Sequence, residues 1–428
     1  MISFRIEEVK EISVMSTALR KNPFRPGVGT RPLHLAGRDQ PMRRFGAMLR
    51  AAPEQPANMR LTGLRGVGKT VLLGEFQTIA ESGGWASAIL ELQPGHNQED
   101  SMVTALTNVA QDSKLRLSRV ERIKSAVGNA ARKAGTLGLG WNEFQITFDP
   151  LVEQQREDVT RTLFEVVEMA VEKGCAGFVL LLDEAQVIRD EAKRSGEHPL
   201  SLLISSIVAL QRREIPLALV LCGLPTLTGN LLKARSYPER MFRGEEIGSL
   251  GDGDAREAFE QPLSETGGLV SAETDLVGQV VDEVEGYPYF IQLWGAELWD
   301  AAEIAGVDRL TTELLGVTRQ DIYRRLDLDF YNPRIETLTP AEQDALLGTA
   351  DAEYPPLVVS KLNDAINKTP ANVNVLLGRL VDAGVLYRLR KGEYDYTAPR
   401  FRDYLLRRAE AARQQAGTPN PRVERTLF

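Results

Sequence analysis

A phosphate-binding pattern stands near residue 65. The segment Gly63-Leu64-Arg65-Gly66-Val67-Gly68-Lys69-Thr70 matches G-x-x-x-x-G-K-[ST]. The glycines let the backbone curl so that several N–H groups face one point, and a helix beginning at Lys69 adds its positive N-terminal end. Lys69 is predicted to reach the β- and γ-phosphates of a nucleotide, and the Thr70 hydroxyl to coordinate Mg²⁺. The residues predicted to bind ATP are Gly63, Leu64, Arg65, Gly66, Val67, Gly68, Lys69, Thr70 and Val71.

Two acids follow an apolar run. Phe178-Val179-Leu180-Leu181-Leu182 precedes Asp183 and Glu184. A buried strand here brings Asp183 to the carboxyl edge of a sheet, where it is predicted to hold the magnesium ion. Glu184 is predicted to orient and partly deprotonate the attacking water. A helix-capping role for Asp183 is the alternative. Gln186 is close enough in sequence to touch the site, with a surface position as its alternative.

The elements that position these residues alternate between strands and helices. Strands are predicted at Met59–Thr62, Trp85–Leu92, Gly177–Leu182 and Pro216–Cys222. Helices are predicted at Asp39–Ala51, Lys69–Glu81, Gln98–Ser113, Ser118–Ala134, Asp158–Lys173 and Pro199–Arg212, with a hairpin insertion at Gly135–Asp149. This alternation predicts an α/β fold with a parallel sheet covered on both faces.

Composition is that of a globular protein with more than one domain. The chain has 428 residues, of which 43% are hydrophobic and 26% charged; at about 150 residues per domain this suggests two or three domains. The net charge of −8 excludes a general nucleic-acid clamp, so any DNA contact must be local. No apolar run approaches the ~18 residues of a membrane span, and we expect no membrane contact.

Cysteine and histidine usage points to the cytoplasm and to no transition-metal site. Cys175 and Cys222 lie in or near apolar runs and are predicted to be small core residues in a reducing cytosol. His34, His96 and His198 are scattered without metal-ligand spacing. The first twenty residues contain acids and lack a continuous apolar stretch, so no secretory signal is expected.

Taken together, these motifs resemble the AAA+ ATPases. Gly37-Arg38-Asp39, Leu182-Asp183-Glu184-Ala185-Gln186 and the C-terminal element order are similar to the origin-recognition and initiator-type branch. STAND signalling ATPases and transposition-regulating AAA+ proteins share much of the pattern. The resemblance implies a five-stranded sheet with a helical lid, nucleotide between them, and assembly in which a neighbour's arginine touches the γ-phosphate. The candidates are Arg240 first and Arg235 second.

Two departures from that family pattern bear on hydrolysis. Where the family usually places a polar side chain that senses the γ-phosphate, this chain has Leu221-Cys222-Gly223-Leu224-Pro225-Thr226, and Thr226 is the one candidate. The lid segment Gly286–Gln292 lacks the phosphate-sensing arginine of many relatives, a STAND-like feature. We therefore expect slow turnover. The aromatic residues of this segment are predicted to pack in the core, with an adenine platform as the alternative.

The C-terminal part is predicted to be a winged helix. Thr339 and Glu342 form a capping box before three short helices and a hairpin. The third helix, Pro370–Ala383, can enter the major groove of double-stranded DNA. The stretch Arg334–Arg413 holds 12 basic and 11 acidic residues. Candidate DNA contacts are Lys368, Thr369, Asn372, Asn374, Arg388, Arg390, Lys391, Arg400 and Arg402. Protein contact or packing on the ATPase is the alternative.

The predicted organisation has six parts. They are an N-terminal arm (1–35), a P-loop AAA+ α/β core (36–243), a helical lid (244–325), a linker (326–338), a winged-helix domain (339–412) and a tail (413–428). The leading hypothesis is an ATP-hydrolysing switch that assembles on DNA or a DNA-linked complex, through self-association or a protein partner. A STAND-like signalling ATPase and a transposition-type regulator are the alternatives.

Overall fold

The computed structural model describes residues 21–27, 29–125, 150–191, 196–234, 238–366 and 368–415. The predicted insertion at 135–149 lies outside these residues, as do Arg235 and the end of the predicted tail. No helix in the described part of the chain is long and apolar enough to cross a membrane.

A five-stranded parallel sheet forms the centre of the N-terminal half, in the order β2-β3-β4-β1-β5. Its strands are β1 (Ala57–Gly63), β2 (Ala86–Glu91), β3 (Phe178–Asp183), β4 (Leu217–Gly223) and β5 (Arg243–Ile247). The first four, β1 to β4, lie where strands were predicted. The fifth, with the sequence RGEEI, lacks an apolar run and was not predicted. Because β5 pairs with β1, the sheet continues four residues past the core boundary predicted at 243.

Helices cover both faces of this sheet. They are α1 (Asp39–Arg50), α2 (Lys69–Ser82), α3 (Glu99–Ser125), α4 (Pro150–Glu172), α5 (Pro199–Gln211), α6 (Thr226–Ala234) and α7 (Pro238–Met241). Every residue of β3 is buried, and its side chains alternate between the two cores. Val179 and Leu181 face the core under α1 and α2. Leu180 and Leu182 face the core under α3, α4 and α5, which explains the unbroken apolar run.

One helix replaces the two predicted after β2. The sequence prediction placed a break between Ser113 and Ser118, but α3 runs through it. The intervening residues are Lys114, Leu115, Arg116 and Leu117, all good helix formers without glycine or proline. A break there has no local cause.

The lid is helical, and helices continue through the predicted linker. The helices are α8 (Asp252–Glu265), α9 (Thr274–Val284), α10 (Pro288–Ala305) and α11 (Thr312–Leu326), with a small strand pair of β6 (Ser271–Ala272) and β7 (Arg309–Leu310). A π-helical turn at Asp327–Tyr331 and α12 (Asn332–Glu336) follow directly. Pro333, taken as a linker signal, sits in the first turn of α12, where its missing N–H costs nothing.

The C-terminal module comprises residues 340–415. Its elements are α13 (Pro340–Ala350), β8 (Leu357–Val358), α14 (Val359–Ile366), α15 (Pro370–Asp382), β9 (Leu386–Arg390), β10 (Glu393–Tyr396) and α16 (Phe401–Gln415). The three strands form one sheet in the order β8-β10-β9. The predicted capping box is present, with the Thr339 N–H donating to Glu342 at 2.9 Å.

Candidate functional site

The phosphate-binding loop lies between β1 and α2, as the pattern requires. Gly66 and Gly68 adopt positive φ angles of 79° and 88°, which glycine adopts without strain. A side chain at Gly66 would meet the Tyr287 hydroxyl at 2.3 Å. The loop therefore needs glycine here for its curvature and for the close approach of the lid.

Lys69 is held inside the loop. Its side chain is buried, and Nζ donates a hydrogen bond to the Leu64 carbonyl at 2.8 Å. Burial lowers the pKa of Lys69, and the nearby Glu184 and Asp183 carboxylates oppose this shift. A buried ammonium that bonds to its own loop is positioned to bind an anion placed in that loop.

Asp183 brings the two motifs together. It is buried at the end of β3, and its Oδ2 accepts a hydrogen bond from Thr70 Oγ1 at 2.6 Å. Its Oδ1 accepts the Glu184 N–H at 2.9 Å. The Cys222 thiol lies beside Asp183; burial first, and the Asp183 carboxylate second, raise the thiol pKa well above its usual value. Cys222 is fully buried, as predicted for a core residue.

Gln186 fixes the direction of the Glu184 carboxylate. Glu184 has a positive φ of 53°, and its Oε2 accepts a hydrogen bond from Gln186 Nε2 at 2.5 Å. The Gln186 Oε1 in turn accepts the Leu224 N–H at 2.9 Å, just after β4. From the sequence alone, the position of Gln186 stayed open. Its contact with the Leu224 N–H depends on β3 and β4 lying side by side, which no local pattern predicts.

Arg38 ties the loop to the far strand of the sheet. Its guanidinium donates to the Val67 carbonyl at 3.1 Å and to the Gly248 carbonyl, after β5, at 2.7 Å. Burial lowers the pKa of Arg38, and the charge of Asp254 opposes this. The Gly37-Arg38-Asp39 segment, noted only as part of the family resemblance, therefore supports the phosphate loop from behind.

The N-terminal arm and the lid close the other sides. Phe24 packs on Phe259, with ring centroids 5.3 Å apart, and the Arg25 N–H donates to Gln292 Oε1 at 3.0 Å. Arg31 pairs with Glu75 of α2 at 2.7 Å. The segment thus spans from lid to α2 as an ordered arm, in agreement with the sequence interpretation.

Lid aromatics contact the phosphate loop directly. The Tyr287 hydroxyl donates to the Arg65 carbonyl, and burial raises the Tyr287 pKa. The Tyr289 N–H donates to the Gly66 carbonyl at 3.3 Å. Tyr287 and Phe290 are fully buried, as predicted for core residues, whereas Tyr289 is half-buried and lines the cavity.

These elements enclose a cavity of about 370 Å³. Its lining includes Lys69, Thr70 and Glu184, which the sequence predicted, together with Arg334, which it did not. Arg240 is exposed in α7 and is not among the lining residues, and Thr226 is not among them either. The basic residues of the lining are Arg25, Arg38, Arg65, Lys69 and Arg334; the acidic ones are Glu184 and Asp329. This excess of basic over acidic residues suits a polyanionic ligand.

Several predicted DNA contacts have other partners. Arg400 donates to the Glu283 and Asp282 carbonyls of the lid, each at 3.3 Å. Arg402 donates to the Ala350 and Ala352 carbonyls at 3.0 and 3.1 Å. Both arginines thus hydrogen-bond carbonyls near the ends of helices within the same chain, Arg400 at α9 and Arg402 at α13, and their contact with DNA stays a prediction. The other candidates, Lys368, Thr369, Asn372, Asn374, Arg388, Arg390 and Lys391, are exposed.

Comparison with known proteins agrees with this geometry. Residues 34–220 match the AAA ATPase domain family, and residues 328–405 match a domain of unknown function, DUF8462. No curated protein sequence is significantly similar to the chain. A Walker-type ATPase of Pyrococcus abyssi is similar in structure, at 18% identity and a TM-score of 0.53, over 88% of this chain and 97% of that one.

A second similar structure is the ORC2 protein of Aeropyrum pernix, solved as ADPNP–ADP complexes. It is 12% identical with a TM-score of 0.53, over 90% of this chain and 98% of that one. These likenesses confirm the predicted α/β fold, and the family match identifies residues 34–220 as an AAA ATPase domain.

Proposed function

This chain carries an AAA ATPase domain in an AAA+ fold, and on that premise we propose that it binds and hydrolyses ATP as a conformational switch. One observation carries the proposal. Lys69, Thr70 and Glu184 line one cavity, and Asp183 accepts a hydrogen bond from Thr70 at 2.6 Å. Two motifs more than a hundred residues apart thus meet where a nucleotide's phosphates fit.

The proposed phosphate contacts come from the loop 63–71. Residues 65–71 line the cavity, where the N–H groups of the loop and the N-terminal end of α2 would bind phosphate, and Lys69 would bind the β- and γ-phosphates. The Thr70 hydroxyl and the Asp183 carboxylate are adjacent hard oxygen donors, the kind that Mg²⁺ prefers, so the residues present fit that ion. When bound, Mg²⁺ neutralises phosphate charge. Asp183, whose carboxylate accepts a hydrogen bond from Thr70 of the loop, would hold the ion through water.

Glu184 is the proposed catalytic acid-base residue. Its carboxylate lines the cavity and is oriented by Gln186, so it can accept a proton from a water aligned with the γ-phosphate. Arg240 is exposed and does not line the nucleotide cavity of its own chain. This position suits a contact with the γ-phosphate bound by a neighbouring subunit. Such an arginine would stabilise charge in the transition state.

For the C-terminal module we propose a winged helix that contacts double-stranded DNA. The first turn of α15 and the β9–β10 hairpin expose Asn372, Asn374, Arg390 and Lys391. Amide side chains can hydrogen-bond adenine edges, and basic hairpin residues can bind phosphate. These residues are exposed, whereas the residues that α15 contributes to the module's core are Val373, Leu376, Leu377 and Leu380.

Binding of labelled duplex DNA to the wild type and to Glu184→Gln tests this proposal, with ATP, ADP or no nucleotide and across salt concentrations. We expect binding that requires ATP, is tighter in the variant, and falls as salt rises. Lys391→Gln should lower the salt slope by about one, and Lys233→Gln, at an exposed position of α6, should leave it unchanged. No binding in any state at low salt would refute a DNA target.

A second candidate function is a protein-directed signalling switch. Its support is the packing of the C-terminal module on the lid and the phosphate loop. The Tyr331 hydroxyl donates to the Pro399 carbonyl at 2.6 Å, and a side chain at Gly384 would lie 3.7 Å from the Arg65 guanidinium. A module seated on the nucleotide site can be released when the nucleotide changes. Tightly held ADP without DNA affinity would favour this function.

A further inference from the structure

Arg334 enters the nucleotide cavity from a part of the chain expected to be a linker. It belongs to α12, between the lid and the C-terminal module, yet it lines the same cavity as Lys69 and Thr70. We propose that Arg334 binds the phosphate chain of the nucleotide from within the same chain. This inference rests on the proposed function and adds to it a binding residue that reports nucleotide to the module.

Aromatic packing fixes the position of the Arg334 guanidinium. Its carbon lies 3.6 Å from the centroid of the Phe330 ring, and Nη1 donates to the Phe330 carbonyl. Phe330 is itself buried and stacks on Tyr289 with centroids 5.5 Å apart. The π-helical turn at Asp327–Tyr331 brings Phe330 under the arginine. The guanidinium is therefore pre-oriented, which lowers the entropy cost of binding a ligand.

The positive charge of Arg334 has no carboxylate partner in the described part of the chain. Burial lowers its pKa, and the neighbouring cation Arg65 lowers it further, although nearby tyrosines oppose this. Among the ion pairs of the described residues, none joins Arg334 to a carboxylate. Arg334 is half-buried and Arg65 is exposed, and both line the cavity, so an anion bound there would be stabilised by both charges. A planar guanidinium matches the paired oxygens of a phosphate.

The same turn connects the cavity to the C-terminal module. Tyr331 follows Phe330, stacks on Tyr404 of α16 with centroids 4.8 Å apart, and donates to the Pro399 carbonyl. A phosphate bound by Arg334 would therefore also restrain the turn Asp327–Tyr331, on which the C-terminal module packs. On the opposite side Arg65, within the phosphate loop, approaches the Gly384 turn of the module. Loss of the phosphate removes a constraint at both contacts.

Nucleotide titrations of the full chain test the inference. The variants are Arg334→Met, which keeps an apolar stem over Phe330 without the charge, and Arg334→Lys, which keeps the charge without the planar group. Arg324→Gln is the control, because Arg324 is exposed and pairs with Asp321 on the surface of α11. We expect Arg334→Met to weaken ATP binding at least about tenfold, ADP less and AMP least. Arg334→Lys should lie between Arg334→Met and the wild type.

The outcomes separate this inference from the proposed function. If the wild type does not bind ATP, the proposed function fails. If the wild type binds ATP and Arg334→Met binds it equally well, the inference about Arg334 fails while the function stands. An equal loss for AMP and ATP would place Arg334 at the nucleoside or the α-phosphate and overturn a contact with the β- and γ-phosphates. If Arg334→Met does not fold, Arg334→Lys with wild-type affinities for all three nucleotides would refute a planar phosphate contact.

Discussion

Replacing Arg38 with methionine should weaken both the fold and nucleotide binding. Arg38 is 7% exposed and joins two carbonyls on separate segments, Val67 in the phosphate loop at 3.1 Å and Gly248 after β5 at 2.7 Å. Methionine approximates the length of the arginine stem but donates no hydrogen bond. The change therefore isolates the two bridging bonds from the packing of the side chain.

The magnitude follows from two opposing effects. The Val67 carbonyl is buried, and losing its donor costs roughly 1–3 kcal/mol, whereas Gly248 is exposed and its carbonyl can bond to water instead. Burial also lowers the pKa of Arg38, so the folded state bears a desolvation cost that methionine removes. The loss of two bonds to a charged donor outweighs that relief, and we expect a net destabilisation of about 1–3 kcal/mol. Because Val67 belongs to the loop, ATP affinity should fall about tenfold.

Chemical denaturation without nucleotide, followed by ATP titration, measures both effects. The matched control is Arg43→Met on the same helix. Arg43 is 73% exposed, and its ion pair with Asp39 spans 3.8 Å. Exposed pairs of this kind contribute about 0–1 kcal/mol, so the control should resemble the wild type. Equal unfolding midpoints for the Arg38 and Arg43 variants would refute the bridging role of Arg38.

Three further predictions concern the phosphate loop, Glu184 and the contact between lid and module. Gly66→Ala forces a side chain onto buried Tyr287 and should abolish ATP binding, whereas Gly74→Ala, with open space around it in α2, should raise the unfolding free energy by about 0.5–1 kcal/mol. Gln186→Ala should lower kcat at least about tenfold with little change in KM, because Glu184 loses its orienting bond; a shift in KM alone would contradict this. Arg400→Gln should increase protease cleavage between lid and module, and unchanged cleavage would contradict the docking.

The phosphate loop and the acidic pair were predictable because each motif is local. A glycine pattern between a strand and a helix fixes its own geometry, and an apolar run ending in acids fixes the strand edge. The fold class followed from the alternation of strands and helices. The single helix α3 and the helical turn before α12 were missed: the predicted break after Ser113 has no local cause, and Pro333 lies in the first turn of a helix, where proline is tolerated.

The remaining parts of the site depend on contacts across the fold. Gln186 is positioned by the Leu224 N–H because β3 and β4 are neighbours, and Arg334 lines the cavity because Phe330, just before α12, packs on Tyr289 and Phe290 of the lid. The carbonyl partners of Arg400 and Arg402 were not predictable for the same reason, since they are distant in sequence. A charged residue in a sequence does not reveal whether its partner is a ligand, a carbonyl or solvent.

The most direct test of the ATPase proposal separates binding from hydrolysis in one protein. Single-turnover cleavage of radiolabelled ATP should be measured alongside ATP affinity in the wild type, Glu184→Gln and the exposed control Glu172→Gln. We predict that Glu184→Gln binds ATP at least as tightly as the wild type and cleaves it at least about a hundredfold more slowly, while the control does both normally. Unchanged cleavage in Glu184→Gln would contradict the assignment of Glu184 and of the cavity as a hydrolytic site.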